Sequence, residues 1–225
     1  MDKYKYVYED TNDYCYSNTD ILINKLNIND DNDLYLAEQE LVGLRIKEIV
    51  LTPVKGNFDF RHLKNIHKFL FQDVFDWAGI PRTCNIAKTN LFCLAQYIDR
   101  SAKDIFDKLA RNHYYLDLEY TDKLKSLAEL FADINALHPF RDGNGRTQRE
   151  FISGLAKVNG INLDFKLVEG TEMIIASSES TKGDITKLLL LFNRIANSIP
   201  SDEQLKYIDQ YILDTEIRER LKNNI

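Results

Sequence analysis

The stretch HPFRDGNGRTQRE, residues 138–150, brings together the side chains of this sequence that are best suited to chemistry. His138 can act as a general base, and Asp142 offers a hard carboxylate oxygen to a metal ion. Arg146 and Arg149 are three residues apart, so they would lie on one face of a helix. A base, a metal ligand and two guanidinium groups that bind phosphate oxygens in pairs are typical of nucleotidyl or phosphoryl transfer.

The glycines of this segment predict an anion site between the histidine and the arginines. Gly143, Asn144 and Gly145 lead into a helix that is expected to start near Arg146. Glycines let consecutive backbone N–H groups approach an anion, and the unbonded N–H groups at a helix start add positive potential. Phe140 is expected to be a buried anchor for the loop. Neither GxxxxGK(S/T) nor GxGxxG occurs here, so the loop is not a P-loop.

Each of these features has a simpler interpretation when it is taken alone. A histidine at a helix end is more often a cap or a packed side chain, and we assign such a role to His62, His67 and His113. A lone GNG is usually a turn, and two arginines at this spacing are usually solvated. The order of the whole set, on both sides of a helix boundary, favours the catalytic interpretation.

A long apolar pattern directly before the segment predicts a buried helix that holds the histidine. TDKLKSLAELFADINAL places its leucines, phenylalanine and isoleucine at helical spacing, with Thr121 or Asp122 as the expected N-cap. Pro139 prevents this helix from continuing past His138. His138 is therefore expected at the rigid edge of a loop.

The rest of the chain predicts an all-α, mostly helical fold with one small β-hairpin. Helical patterns cover residues 34–50, 59–75, 168–179, 184–198 and 202–222. Asp59 is the expected cap of the second pattern. AGIPRTCNIAKTNLFCLAQYI has two short apolar runs around a polar break, which predicts the hairpin. An irregular, tyrosine-rich arm is expected at residues 1–33, and a helical extension at residues 201–225.

Composition excludes several classes of protein. A chain of 225 residues with 44% hydrophobic and 28% charged residues is typical of a globular domain. The net charge of −6 argues against a protein that coats nucleic acid, so no direct nucleic-acid binding is expected. The three cysteines lack zinc-site spacing, the first residues lack an apolar signal segment, and no apolar run is long enough to span a bilayer. We therefore expect a cytoplasmic protein with free thiols and no membrane association.

The segment HPFRDGNGRTQR resembles the signature HPFx(D/E)GNGRxxR of the Fic family at every specified position. The resemblance extends to GNFDFRHLKNIHKFLFQDVFDWAGIPR and NIAKTNLFCLAQYI, and residues 34–198 are expected to form the Fic domain. It implies the mostly helical Fic fold. It also implies a protein adenylyltransferase, which binds Mg-ATP, transfers AMP to a hydroxyl group of a target protein and releases pyrophosphate.

The resemblance implies a role for each residue of the signature. His138 would deprotonate the incoming hydroxyl group, Asp142 would hold Mg²⁺, and Phe140 would fix the loop in the core. Nucleotide binding is implied for five residues. The backbone of Gly143, Asn144 and Gly145 would form an anion hole, and the side chains of Arg146 and Arg149 would bind the β- and γ-phosphates.

The predicted hairpin, residues 83–94, corresponds to the family's flap, which aligns the target's backbone by strand pairing. The residues expected to dock the target are Thr83, Asn85, Ile86, Lys88 and Leu91. The adenine pocket is expected to involve EGTEMIIASSEST, residues 169–181.

The family's inhibitory motif, S/T-xxx-E-G/N, is matched only in part. Its glutamate pairs with the second signature arginine, which is Arg149 here, and the matching spacing is that of Thr215 and Glu219 with Arg220 in the Gly/Asn position. The chain therefore resembles most closely those Fic toxins that a separate small antitoxin protein inhibits. Since such toxins modify bacterial type II topoisomerases, DNA gyrase and topoisomerase IV are the hypothetical targets.

Two other interpretations remain open. The chain could be a self-inhibited AMP transferase that uses Glu219, or a Fic-like scaffold that binds nucleotide and a partner without turnover. The intact signature argues against the scaffold. Phosphocholine transfer is compatible with the signature, whereas the kinase branch of the family departs from it in the anion loop.

Overall fold

A computed structural model describes residues 7–8, 14–87, 91–223 and 225. Within them the chain forms nine α-helices: α1 (Asp31–Leu51), α2 (Phe60–Phe71), α3 (Ile98–Arg111), α4 (Tyr120–Leu137), α5 (Asn144–Val158), α6 (Gly170–Ser180), α7 (Thr186–Ile195), α8 (Ser201–Tyr211) and α9 (Thr215–Lys222). Four short strands form two antiparallel pairs: β1 (Val7–Tyr8) with β2 (Ile86–Ala87), and β3 (Ile161–Leu163) with β4 (Ala196–Ser198). The predicted fold class, mostly helical with a small antiparallel sheet, is confirmed.

Helix α5 lies at the centre of the hydrophobic core. It packs against α2, α4 and α8, and Phe151, Ile152 and Leu155 on it are fully buried. Helix α4 in turn packs against α3 and α7. Because α4 ends at Leu137 and α5 begins at Asn144, the loop between them is held by two core helices.

The starts of α1 and α2 follow from their aspartate caps. Helix α1 begins at Asp31, three residues before the predicted start, because the Asp30 carboxylate accepts the N–H groups of residues 32 and 33. The predicted cap of α2 is confirmed, since Asp59 accepts the His62 N–H at 2.7 Å.

The predicted caps of α4, Thr121 and Asp122, are wrong. The helix begins at Tyr120, because the Lys123 N–H already bonds to the Glu119 carbonyl at 2.9 Å and residue 119 becomes the cap. The Glu119 side chain makes no capping bond.

The two C-terminal helical patterns are each shorter in the structure than in the prediction. Helix α7 ends at Ile195, and the next three residues pair with β3, opposite Ile161 to Leu163. The last pattern is divided between α8 and α9, because the chain between the two helices bonds to Gly56 instead of continuing the helix. The Gly56 N–H donates to the Tyr211 carbonyl at 2.9 Å, and the Gly56 carbonyl accepts the Leu213 N–H at 3.1 Å. Ile208 and Tyr211 of α8 are buried in the main core.

The flap is a small sheet that includes a strand from the N-terminal arm. Within the flap, Ala87 bridges to Leu91, and the Phe92 N–H donates to the Ile86 carbonyl at 3.3 Å. On its other side β2 pairs with β1. The predicted docking residue Lys88 lies outside the described residues.

The described part of the chain contains no helix that is both long and apolar enough to cross a membrane. Its three cysteines, Cys15, Cys84 and Cys93, are free thiols, as the spacing predicted.

Candidate active site

His138 lies at the C-terminal end of α4 with its ring orientation and tautomer fixed. Its backbone is left-handed, with φ 43° and ψ 60°, and its N–H donates to the Ile134 carbonyl at 3.0 Å. The side-chain Nδ1 lies 3.2 Å from the Asn135 carbonyl oxygen. Because a carbonyl can only accept, Nδ1 carries a proton, and Nε2 is the basic nitrogen of the neutral ring.

Phe92, from the second half of the flap, holds the plane of this imidazole. The two rings are stacked, with centroids 3.8 Å apart and an interplanar angle of 15°. The Cys93 N–H bonds to the Ala136 carbonyl at 2.9 Å, which ties the flap to the last turn of α4. No local pattern points to Phe92, because its partner is 46 positions away in the chain, at residue 138.

The loop that follows His138 is closed by the Asn144 side chain. Its Oδ1 accepts the Phe140 N–H at 2.9 Å, and its Nδ2 donates to the Phe140 carbonyl at 2.7 Å. Phe140 is buried. Since the Asn144 amide is committed to the loop, the backbone N–H is the group that this residue can offer to a ligand.

Gly143 makes the sharp turn into α5, and no larger residue fits there. Its φ is 77°, and an added Cβ would lie 2.4 Å from Cζ of Phe71. The first helical bond of α5 runs from the Thr147 N–H to the Gly143 carbonyl at 3.1 Å. The N–H groups of residues 144–146 precede this bond, so they form the positive end of a core helix.

The two arginines of α5 concentrate positive charge beside these N–H groups. The Arg149 guanidinium lies against Gly145, where an added Cβ would be 3.3 Å from Nη1. Burial lowers the pKa of Arg149 below its ordinary value, and the neighbouring charge of Arg146 lowers it further. Two like charges in a half-buried site favour an anion with several negative oxygens.

Glu38 of α1 orients Arg146. Its Oε1 forms an ion pair with Nη1 of the arginine at 2.5 Å, and the guanidinium carbon lies 4.7 Å from the centroid of the Phe71 ring. Sequence reasoning missed Glu38, although a signal was present: the acid lies between Leu34 and Val42 on the buried stripe of α1. A charged residue in such a stripe usually has a buried partner.

His67 of α2 supports the loop from behind. Its Nδ1 accepts the Gly79 N–H at 2.8 Å, so Nε2 carries the proton and donates to the Asp142 carbonyl at 3.0 Å. The ring also stacks on Phe140, with centroids 3.8 Å apart. Burial lowers the pKa of His67 to about 4, so the ring is neutral at physiological pH. The predicted packing role of His67 therefore extends to the candidate site.

Asp142 is a single carboxylate at the anion loop. Its Oδ1 accepts the Gly143 N–H at 2.6 Å. Among the described residues, no group of three or more His, Cys, Asp and Glu side chains could hold a metal ion. A magnesium ion on nucleotide phosphates needs only one or two protein carboxylates, so this donor set fits an ion that arrives with the nucleotide.

Two of the predicted docking residues hold the flap in place. The Thr83 N–H donates to the Tyr14 hydroxyl at 3.1 Å, and the two hydroxyl groups lie 3.2 Å apart. The Asn85 side chain accepts the Ala95 N–H at 2.9 Å. Both residues therefore connect the flap to its surroundings.

The other two described docking residues differ in exposure. Ile86 is buried, and its strand β2 is paired on both sides, by β1 and by Leu91. Leu91 is 61% exposed.

The remaining predicted segments belong to α6 and α9. In the predicted adenine region, the Ser177 carbonyl of α6 accepts Nδ2 of Asn135 at 3.1 Å, one turn before His138. At the start of α9, Thr215 accepts a bond from Arg218 at 3.1 Å, and the exposed Glu219 lies 3.8 Å from Nζ of Lys222.

Comparison with known proteins identifies the family. The family model described as "Fic/DOC family" matches residues 57–156. The chain is 37% identical over 183 residues to "Probable protein adenylyltransferase y4lH" of Sinorhizobium fredii, which covers 80% of this chain and 94% of that protein. It is 39% identical over 189 residues to "Protein adenylyltransferase VbhT" of Bartonella schoenbuchensis, which covers 83% of this chain. The chain belongs to the Fic/DOC family, and it spans 40% of the length of VbhT.

Solved structures of related proteins show the same fold. The BepC effector of Bartonella tribocorum, with bound AMPPNP, superimposes with a TM-score of 0.77 at 27% identity, over 84% of this chain and 98% of that one. The N-terminal Fic domain of a Bartonella quintana cell filamentation protein, with bound ADP, gives a TM-score of 0.78 at 29% identity, over 84% and 96% of the two chains. Both related structures hold an adenine nucleotide.

Proposed function

We propose that this chain is a protein adenylyltransferase, which transfers AMP from ATP to a hydroxyl side chain of a target protein. The observation that carries the proposal is the position of His138: its Nδ1–H is bound to a carbonyl, and the loop that starts at this residue leads directly into the N-terminus of α5, which carries two arginines. The names of the relatives, which are protein adenylyltransferases, support the same reaction.

In this reaction the hydroxyl oxygen of the target attacks the α-phosphorus of ATP. A bond forms between these two atoms, the bond from the α-phosphorus to the α,β-bridging oxygen breaks, and pyrophosphate leaves with the bonding electrons. Nε2 of His138 takes the hydroxyl proton, because Nδ1 already carries a proton bonded to Asn135. General-base catalysis of this kind contributes about 10²- to 10⁴-fold in rate.

The start of α5 binds the phosphates. Backbone N–H groups at residues 144–146 donate hydrogen bonds to phosphate oxygens, and Arg146 and Arg149 bind the β- and γ-phosphates. Because these donors are held by buried neighbours, little reorganisation is needed as charge moves onto the leaving pyrophosphate. Asp142 would hold a magnesium ion, which neutralises phosphate charge when it is bound.

The flap docks the target as an added strand. Since β1 and Leu91 already pair with the two sides of β2, the outer edge of the segment at Leu91 is the edge that an extended target segment would join. The exposed Leu91 side chain supports this orientation. Of the predicted docking set, Leu91 is then the direct contact, and Thr83, Asn85 and Ile86 act by holding the flap.

Labelled ATP tests the reaction. The purified chain is incubated with bacterial lysate, Mg²⁺ and ATP labelled at the α- or the γ-phosphate. We expect protein bands that carry label from the α-phosphate alone, and loss of these bands in His138→Ala with AMPPNP binding retained. His113→Ala is the matched control, because His113 is exposed and pairs with Asp117. Equal labelling by His138→Ala and the parent chain would reject the assigned base.

Toxin activity restrained by a separate antitoxin is the finer form of the proposal. The local pairing of Glu219 with Lys222 supports it, since a self-inhibited enzyme would direct that carboxylate at Arg149. DNA gyrase and topoisomerase IV are the proposed targets. Incubation with their purified subunits checks this, and label on one subunit is expected. If proteins in the lysate are labelled but none of the purified subunits is, these targets are rejected. A scaffold without turnover would leave every protein unlabelled.

A further inference from the structure

We propose that Arg82 is a positioning residue that sets the flap against the catalytic histidine; this inference rests on the proposed function. Arg82 follows Pro81 at the entrance to the flap, and only 2% of its surface is exposed. Nothing in the signature segment points to it, because it lies 56 positions before His138.

The guanidinium of Arg82 joins three segments through backbone carbonyls. Nε donates to the His138 carbonyl at 2.9 Å, and Nη2 lies 3.5 Å from the Leu137 carbonyl. Nη1 donates to the Cys84 carbonyl at 2.7 Å, and Nη2 donates to the Cys93 carbonyl at 2.5 Å. One planar group therefore binds the end of α4 and both flanks of the flap at once.

The Arg82 backbone adds a further bond to the chain that follows α4, since its N–H donates to the Pro139 carbonyl at 2.8 Å. In the described part of the chain, the side-chain partners of Arg82 are all carbonyls rather than carboxylates. Burial of an arginine without a carboxylate is costly, and burial lowers the pKa of Arg82. Bonds to several carbonyls offset that cost only while all three segments keep their places.

This arrangement fixes the distance between the base and the docking edge. The flanks at Cys84 and Cys93 enclose the flap, and Phe92, next to Cys93, stacks on the His138 ring. A displacement of either flank would shift the docked hydroxyl group relative to Nε2. The bonds of Arg82 do not involve Gly143 or the first turns of α5, where the phosphates would bind, so nucleotide binding is not its task.

Arg82→Lys is the discriminating variant, because lysine keeps the charge but presents its donors from a single nitrogen. A misplacement of about 1 Å costs about 100-fold in rate. We therefore expect kcat/KM for the protein target to fall by about 100-fold, with the Kd of AMPPNP changed by less than about threefold. Arg45→Lys is the control. Arg45 of α1 also binds through two nitrogens, to Asp73 at 2.7 and 3.0 Å, and neither residue belongs to the flap or to α4.

Hydrogen exchange gives a second readout that does not depend on activity. In Arg82→Lys, the backbone amides of residues 83–87 and 91–93 should exchange at least about tenfold faster, with α3 and α6 unchanged. Accelerated exchange throughout the chain would indicate general destabilisation and would overturn the proposal. So would a kcat/KM within about twofold of the parent value.

The two proposals fail in different ways. If the parent chain transfers no AMP, the proposed function is rejected, and the exchange pattern still tests Arg82. If Arg82→Lys does not fold, NMR of the arginine Nε–H groups in the parent chain tests the role of Arg82 instead. We expect the Arg82 signal to exchange at least about 100-fold more slowly than that of the exposed Arg100, and equal rates would overturn the proposal.

Discussion

The Nε2–H of His67 donates a hydrogen bond to the backbone carbonyl of Asp142, at 3.0 Å. The same ring accepts the Gly79 N–H through Nδ1 and stacks on Phe140. Only the neutral imidazole, with its proton on Nε2, can make both bonds. A histidine of α2 therefore stabilises the loop that carries the candidate metal ligand and the anion site.

The protonation of His67 should make the fold sensitive to acid. Its pKa is about 6.5 in an unfolded chain and about 4 in the folded one, because burial disfavours the charged ring. Between these values the unfolded chain binds a proton that the folded chain does not, so this stability is complete above about pH 6.5 and is lost as the pH falls toward 4. The free energy of unfolding should fall by about 2–3 kcal/mol through this group between about pH 7 and pH 4.5.

Urea unfolding at the two pH values checks this expectation. His67→Gln should show a smaller loss than the parent chain, and the buried His62, whose pKa is also lowered by burial, accounts for part of the remainder. His113→Gln, at an exposed position, should keep the parent loss. The same loss in His67→Gln as in the parent would contradict the assignment.

Gly143→Ala should damage both the fold and nucleotide binding. The positive φ of 77° and the approach of an added Cβ to 2.4 Å from Phe71 Cζ force the turn to move. We expect a loss of about 1–3 kcal/mol in unfolding free energy and at least about tenfold weaker AMPPNP binding.

Gly43→Ala is the matched control for this substitution. Gly43 lies inside α1, and an added Cβ there meets no atom within 4 Å. This change should stabilise the chain by about 0.5–1 kcal/mol. Thermal unfolding measures the stability of both variants, and calorimetric titration measures their AMPPNP binding. Unchanged AMPPNP binding by Gly143→Ala would show that nucleotide binding does not depend on this turn.

Glu38→Ala should destabilise the chain because it leaves the Arg146 guanidinium without its ion-pair partner. The two side chains are 10% and 21% exposed, so the pair is mostly buried. We expect a loss of about 2 kcal/mol, below the range for a fully buried pair. The partly exposed Glu172, paired with Arg194 at 2.6 Å, is the control, and its replacement by alanine should change little. Equal chemical denaturation midpoints for both variants would refute the structural role of Glu38.

Glu219→Gln should leave AMP transfer unchanged. The carboxylate is exposed and pairs with Lys222 of its own helix, so its loss changes only a surface contact. A point substitution is the suitable test, because deletion of α8 and α9 would also remove the buried Ile208 and Tyr211. An increase in transfer by this variant would favour the self-inhibited enzyme over inhibition by a separate protein.

The sequence predicts those parts of the site that are continuous in the chain. The signature residues are neighbours in sequence, and the helix before them shows a regular apolar stripe, so both the position of His138 and the helical fold follow from local rules. The strand β4 has three residues, too few for a periodic signal, and its residues fall at the end of a helical pattern in the sequence.

The supporting residues could not be assigned in the same way. His67, Arg82 and Phe92 act on the loop and the base from segments that only the tertiary fold brings together. Their side chains are ordinary core or turn residues by local pattern. Glu38 is the exception, since an acid on a buried stripe can be recognised in the sequence.

The mass of the modified target tests the central claim most directly. A target labelled by the chain is digested and its peptides are analysed by mass spectrometry, with His138→Ala as the control. We expect one added adenylyl group, AMP less one water, on a hydroxyl side chain, and no modified peptide with the variant. A peptide that instead carries a phosphoryl or phosphocholine group, or an adenylyl group that persists in His138→Ala, would contradict the proposed reaction.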